Sequence, residues 1–148
     1  MTEPDDRATT PAVLAAELGA LIGQMKRRLR REASAGDFTQ SQLAVLGRLD
    51  REGSATVSAL ARAEGVRPQS MGATVAALEA AGLLQGTPDP ADGRQTILAL
   101  TPACRDLIRA GRAARLDWLS HAIEARLSQA EQQQLADSVA LLAKLFES

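Results

Sequence analysis

The chain is poor in the residues from which most active sites are built. Its 148 residues include one cysteine, one histidine, one tryptophan, two phenylalanines and no tyrosine. A lone Cys104 cannot close an intramolecular disulfide, and with only His121 beside it in the inventory it offers too few ligands for a zinc site. No metal and no cofactor are expected. Gly-rich phosphate loops, HExxH and GxSxG are all missing, so nothing points to an enzyme. No stretch approaches the roughly 20 apolar residues that span a bilayer, and the acidic start "MTEPDDRATT" lacks the basic and apolar regions of a signal peptide. A cytoplasmic protein with no membrane partner is the expectation. Net charge is also nearly absent: 17 Lys and Arg against 18 Asp and Glu leave −1. An anionic partner would have to be met by a local face.

What is present is ordinary globular composition, 45% hydrophobic and 24% charged. At about 100–200 residues per domain the length fits one domain, expected over residues 11–148 behind a disordered polar tail at 1–10. Val13, Leu14, Leu18, Leu21, Ile22, Met25 and Leu29 recur at helical spacing and predict a first helix over 11–33. Its segment from Lys26 to Arg31 holds five cations in six positions, which on a helix point in several directions. "TQSQLAVLGRLDREG" opens with Thr39 and Gln42 as a capping box, buries Leu43, Leu46 and Leu49, and stops at Gly53.

Thr56 can cap a short third helix whose Val57, Leu60 and Ala61 face inward, ending at Gly65. Pro68 suits the first position of a fourth helix, because its missing N–H had no intrahelical partner. Met71, Val75 and Leu78 give that helix its apolar line, and Gly82 closes it. Two short helices around a tight turn form a helix-turn-helix pattern. "LLQGTP" reads as a loop. "QTILAL" alternates, with Ile97 and Ala99 on one face and Leu98 and Leu100 on the other, as in one strand of a hairpin with a long tip. Thr101-Pro102 starts a helix to about 126, and Ser128 caps a last one carrying Leu135, Val139, Leu142 and Phe146 as a stripe.

The fold expected is mainly α with a small β-hairpin wing: a winged helix-turn-helix with N- and C-terminal dimerisation helices. Residues 38–101 would form the DNA-binding lobe, and 11–33 and 102–148 the dimer helices. The flanking apolar faces need burial, and a twofold homodimer supplies it.

From about residue 38 to 107 the chain resembles the MarR family of transcription regulators. The resemblance lies in "FTQSQLAVLGRL", "TVSALARAEGV", "ALEAAGLL", and Asp92-Gly93-Arg94 followed by Leu100-Thr101. It implies a homodimer on a palindromic double-stranded DNA operator, usually a repressor. It also implies release from DNA when a small phenolic or anionic effector binds between the dimer helices and the lobe.

For a recognition helix entering the major groove by its N-terminal end, the candidate DNA contacts are Arg67, Gln69, Ser70 and Ala73, with Arg62 as a phosphate contact. Gln69 can pair with adenine, and Ala73 can touch only a thymine methyl. The resemblance assigns Arg94 to the minor groove and Asp92 to bracing the wing, whose prolines 88 and 90 limit its freedom. Arg115 and Trp118 are weak effector candidates. Cys104 stands where the family commonly has glycine and reads as a small packed residue.

The sequence departs from the family at Ala73, Ala77 and Gly86, where relatives often carry basic residues. From Ser54 to Thr101 three arginines face four acids, a net −1. That deficit motivates the alternative of a winged-helix protein-interaction module without sequence-specific DNA binding.

Overall fold

In the computed structural model, residues 9–33 and 37–147 are described. Six helices and three short strands follow in the order α1 (Pro11–Glu32), α2 (Gln40–Glu52), β1 (Ala55–Thr56), α3 (Val57–Glu64), α4 (Pro68–Ala80), β2 (Leu84–Pro88), β3 (Thr96–Leu100), α5 (Pro102–Arg126) and α6 (Gln129–Lys144). Most of the stretch expected as a tail, 1–8, lies outside the described residues, but Thr10 is the N-cap of α1 and accepts from the Val13 amide at 3.2 Å. No helix of the described residues is long and apolar enough to cross a membrane.

The helix boundaries follow local chemistry. Thr39 and Gln42 make a reciprocal capping box on α2, and Ser128 and Glu131 make another on α6. Thr56 and Thr101 cap α3 and α5 through the amides of Ala59 and Cys104. Gly65 ends α3 with φ 65° and ψ 33°, a left-handed conformation that a Cβ would strain. The Phe146 of the expected C-terminal stripe lies past the end of α6 and is 78% exposed.

The sheet differs from the sequence expectation in two places. "LLQGTP" is not a loop: Leu84–Pro88 is β2, paired antiparallel with β3 from Leu84↔Leu100 to Pro88↔Thr96. Its Gly and Pro weaken the local strand signal, and it is β3 that imposes the conformation. β1 pairs with the other edge of β3, Ala55↔Leu98 and Thr56↔Ile97, giving the order β1-β3-β2. Proline at the end of β2 is tolerated because that strand is at an edge. At Gly86 a Cβ would come within 2.6 Å of the Thr96 methyl, so the position that often carries arginine in relatives is here roofed by a side chain of β3.

One small core holds these elements together. It comprises Val45, Leu46, Leu49, Leu60, Ala61, Met71, Val75, Leu78, Leu83, Leu84, Leu98, Leu100 and Cys104, with no buried polar side chain. Val45 takes the buried place in α2 that the periodicity assigned to Leu43, which is half-buried and lines a cavity instead. In β3 the alternation holds, with Leu98 and Leu100 inward. Every core residue lies between α2 and the first turn of α5; α1 and α6 bury none.

Thr101 ties the lobe to α5. Its hydroxyl donates to the Gly82 carbonyl at 2.7 Å and accepts from the Cys104 amide at 3.1 Å, while its own amide donates to the Leu83 carbonyl at 3.1 Å. Thr101→Val keeps the shape and removes both hydroxyl bonds. We expect a loss of about 1–3 kcal/mol, read as a lower midpoint in urea or thermal unfolding, with Thr101→Ser close to the wild type.

Candidate nucleic-acid interface

α4 buries one line of side chains, Met71, Val75 and Leu78, and turns the opposite face outward. On that face Arg67, Gln69, Ser70 and Ala73 are all exposed, as are Ala76 and Ala77. Arg67 occupies the N-cap position without a side-chain capping bond, so its guanidinium is left to other partners. Thr74 folds its hydroxyl back onto the Ser70 carbonyl at 3.2 Å, leaving the Ser70 hydroxyl exposed in the first turn. Arg62, on α3, is exposed as well. None of Arg62, Arg67 and Arg94 forms an ion pair among the described residues.

The wing tip is shaped by its aspartates. The Asp89 amide donates to the Gln95 carbonyl at 2.8 Å, closing the loop beyond the last strand pair. The Asp89 carboxylate accepts from the Ala91 amide at 2.9 Å, and the Asp92 carboxylate accepts from the Arg94 amide at 3.1 Å. Each is an Asx-turn, in which a side chain replaces a backbone acceptor two residues back. Asp92 therefore engages the backbone of Arg94 and not its guanidinium, which stays exposed.

The charge balance of the lobe is less adverse than the residue count. Glu64, one of its four acids, is bound by Arg48 of α2, with Nε to Oε1 at 2.7 Å. Arg48 also donates to both carboxylate oxygens of Glu52 at 3.0 and 3.2 Å. The sequence reading overlooked this triad because Arg48 and Glu64 are 16 positions apart on different helices.

A cavity of about 340 Å³ opens between α2, α5 and the end of α1. Leu43, Leu46, Leu107 and Ile108 form its apolar wall, and Arg51, Arg112 and Arg115 bring three guanidinium groups to its lining against one carboxylate, Asp50. Arg112 reaches Asp50 only at 3.4 Å. Of the two effector candidates, Arg115 lines this cavity and Trp118 does not. Trp118 is covered by Arg28 of α1, whose Cζ lies 4.8 Å from the ring centroid while its Nη2 pairs with Glu32 at 2.9 Å. The expected Arg115–Trp118 pairing is replaced by a cation–π contact across two helices, a distance along the chain that no local pattern could signal.

Cys104 is fully buried, and burial pushes its thiol above the ordinary range, with the nearby Asp50 charge adding to the shift. A raised pKa lowers the thiolate fraction at every pH, the opposite of a reactive thiol. Cys104 should therefore resist a disulfide reagent such as dithionitrobenzoate at pH 8 in the folded protein and react stoichiometrically in denaturant. Fast labelling of the native state would contradict the packed position. Among the described residues no group of three or more His, Cys, Asp and Glu could hold a metal ion.

A three-stranded wing beside a helix-turn-helix whose second helix is exposed defines the class: a winged helix-turn-helix transcription regulator. The model of the MarR family matches residues 36–95. An HTH-type transcriptional regulator of Mycobacterium bovis is 34% identical over 136 residues, 92% of this chain and 94% of that protein. A transcriptional regulator of Pseudomonas aeruginosa, solved by crystallography, is 38% identical with a TM-score of 0.75 over 89% of this chain and 93% of that one. Staphylococcus aureus MepR bound to an oligodeoxyribonucleotide shares the fold at 20% identity, with a TM-score of 0.68 over 90% of this chain and 98% of that one. The chain belongs to the MarR family of transcription regulators.

Proposed function

We propose that the protein is a homodimeric repressor that reads a palindromic operator with α4 in the major groove and Arg94 in the adjacent minor groove. The observation that carries this is the exposed first half of α4, with Arg67, Gln69 and Ser70 beside a tip whose only cation is exposed. A helix fits the major groove, where Gln69 can donate to and accept from an adenine edge. A narrow A·T minor groove concentrates negative potential and attracts a lone guanidinium. Arg62 and Arg67 serve phosphates, and the Asx-turn at Asp92 holds the Arg94 backbone for docking. The DNA complex of MepR supports the same assignment by fold.

Dimerisation rests on the flanks. Val13, Leu14 and Leu21 of α1 are about half exposed, at 47%, 52% and 50%, and Leu141 of α6 is 62% exposed. A monomer would leave that apolar surface in water, whereas a twofold interface covers it and sets two copies of α4 on one side. The cavity beneath α5 is where a ligand would act. Its apolar wall and three guanidinium groups fit a small aromatic acid, and its position between α2 and α5 would let that ligand alter how the lobe sits on the dimer helices.

Selection from random duplexes at low salt tests the central assignment: a palindrome should be enriched, and its loss on adding aromatic acids would identify the effector class. No enrichment would favour a protein-interaction module. Arg94→Ala should weaken operator binding and reduce the slope of log K against log salt by about one, because one phosphate-region cation is lost. Unchanged affinity and slope would remove the wing from the interface. Gln69→Ala should instead relax preference at one base pair by about 1–3 kcal/mol while leaving the salt slope unchanged, measured by competition between operator variants.

A further inference from the structure

The turn between α3 and α4 decides where the recognition helix points, yet it has little burial of its own. α3 is eight residues long, and Val66 within the turn is 41% exposed. The turn's backbone closes on itself, with the Gly65 amide to Arg62 and the Val66 amide to Ala61. Among the ion pairs of the described residues, one anchors this region to the rest of the lobe: Arg48 of α2 to Glu64, the last residue of α3. Both side chains are only 24% exposed, and the 2.7 Å contact is short enough for a charge-assisted bond. Glu52 holds the same guanidinium from the other side, so Arg48 cannot swing away without abandoning two carboxylates. Those bonds raise the pKa of Arg48, first through Glu64, which keeps the clamp charged at any working pH.

Three residues separate Glu64 from Pro68, the first residue of α4, and Gln69 and Ser70 follow in its first turn. We propose that Glu64, clamped by Arg48, is a positioning residue for DNA recognition: it fixes the turn between α3 and α4 and thereby aims Gln69 and Ser70 at the groove. The proposal rests on the DNA-binding assignment above. It also opposes simple electrostatics. Glu64 is an anion on a surface meant for a polyanion, so charge alone would have its removal tighten binding. Positioning requires that removal to weaken it.

The two effects are separated by Glu64→Gln. We expect operator affinity to fall roughly tenfold, with the salt slope unchanged because no phosphate contact is lost. The charge-reversed pair, Arg48→Glu with Glu64→Arg, should recover most of the loss, since the bond is remade. Equal or tighter binding by Glu64→Gln overturns the proposal. Should Glu64→Gln lose its fold by circular dichroism, Glu64→Asp retains the charge and withdraws the acceptor by one methylene; it should weaken binding too, and wild-type affinity would overturn the proposal.

Hydrogen exchange without DNA supplies an independent measurement. In Glu64→Gln the amides of Val66 and Met71 should exchange faster, while those of Leu46 and Leu49 in α2 keep their protection. Unchanged exchange in the turn, with DNA binding intact in the wild type, overturns the clamp alone. A wild-type protein that selects no duplex overturns the DNA assignment, and the part of this proposal that concerns DNA with it.

Discussion

The Thr101 side chain stands where three directions of the chain are decided. One hydroxyl accepts the amide that begins α5 and donates to the carbonyl that ends the turn after α4, while the residue's backbone closes against Leu83 at the start of the hairpin. A hydroxyl can donate once and accept at the same time, so a single small group satisfies a helix end and a turn carbonyl together. The recognition helix, the wing and the long helix are therefore set relative to one another by geometry confined to a few ångströms. Hydrogen bonds lose strength steeply with misalignment, which makes such a junction stiff in angle.

Around that junction the molecule divides by how its apolar surface is covered. The core from Val45 to Cys104 closes on itself without a buried polar group, so the lobe is a complete packing unit. α1 and α6 bury no side chain of their own. They are attached by narrower means, among them the Arg28–Trp118 stack and the close approach of Ala33 to Gly111, where a Cβ added to the glycine would lie 3.5 Å from that of the alanine. The cavity lies at this seam between well-packed and loosely covered parts. On the proposed assignment that location is apt, because a seam can shift where a close-packed core cannot.

Much of the architecture was legible one segment at a time. The capping threonines and Ser128, the prolines opening α4 and α5, and the inward Leu98 and Leu100 all follow from groups within four residues of each other. Helix caps and periodicities are local physics, so a linear reading reaches them. The failures share a cause. β1 and β2 exist because β3 pairs with both, Val45 displaces Leu43 because α2 faces a core made elsewhere, and Trp118 finds Arg28 and not Arg115. At the interface, the exposure of Arg67, Gln69 and Ser70 could be anticipated from their places opposite Met71 and Val75. The arginines gathered at the cavity could not, since Arg51 comes from α2 and Arg112 and Arg115 from α5.

By itself, then, the sequence determined the helices, their caps, the turn at Gly65 and the order of elements that identifies a winged helix-turn-helix. It also determined the scarcity of cations in the lobe. Tertiary structure decided how much that scarcity matters, by neutralising Glu64 with Arg48 and by committing Asp89 and Asp92 to the wing's own backbone. The physical reason is range. Capping and periodicity act across one helical turn, whereas an ion pair depends on the few ångströms between atoms that the chain keeps far apart until it folds.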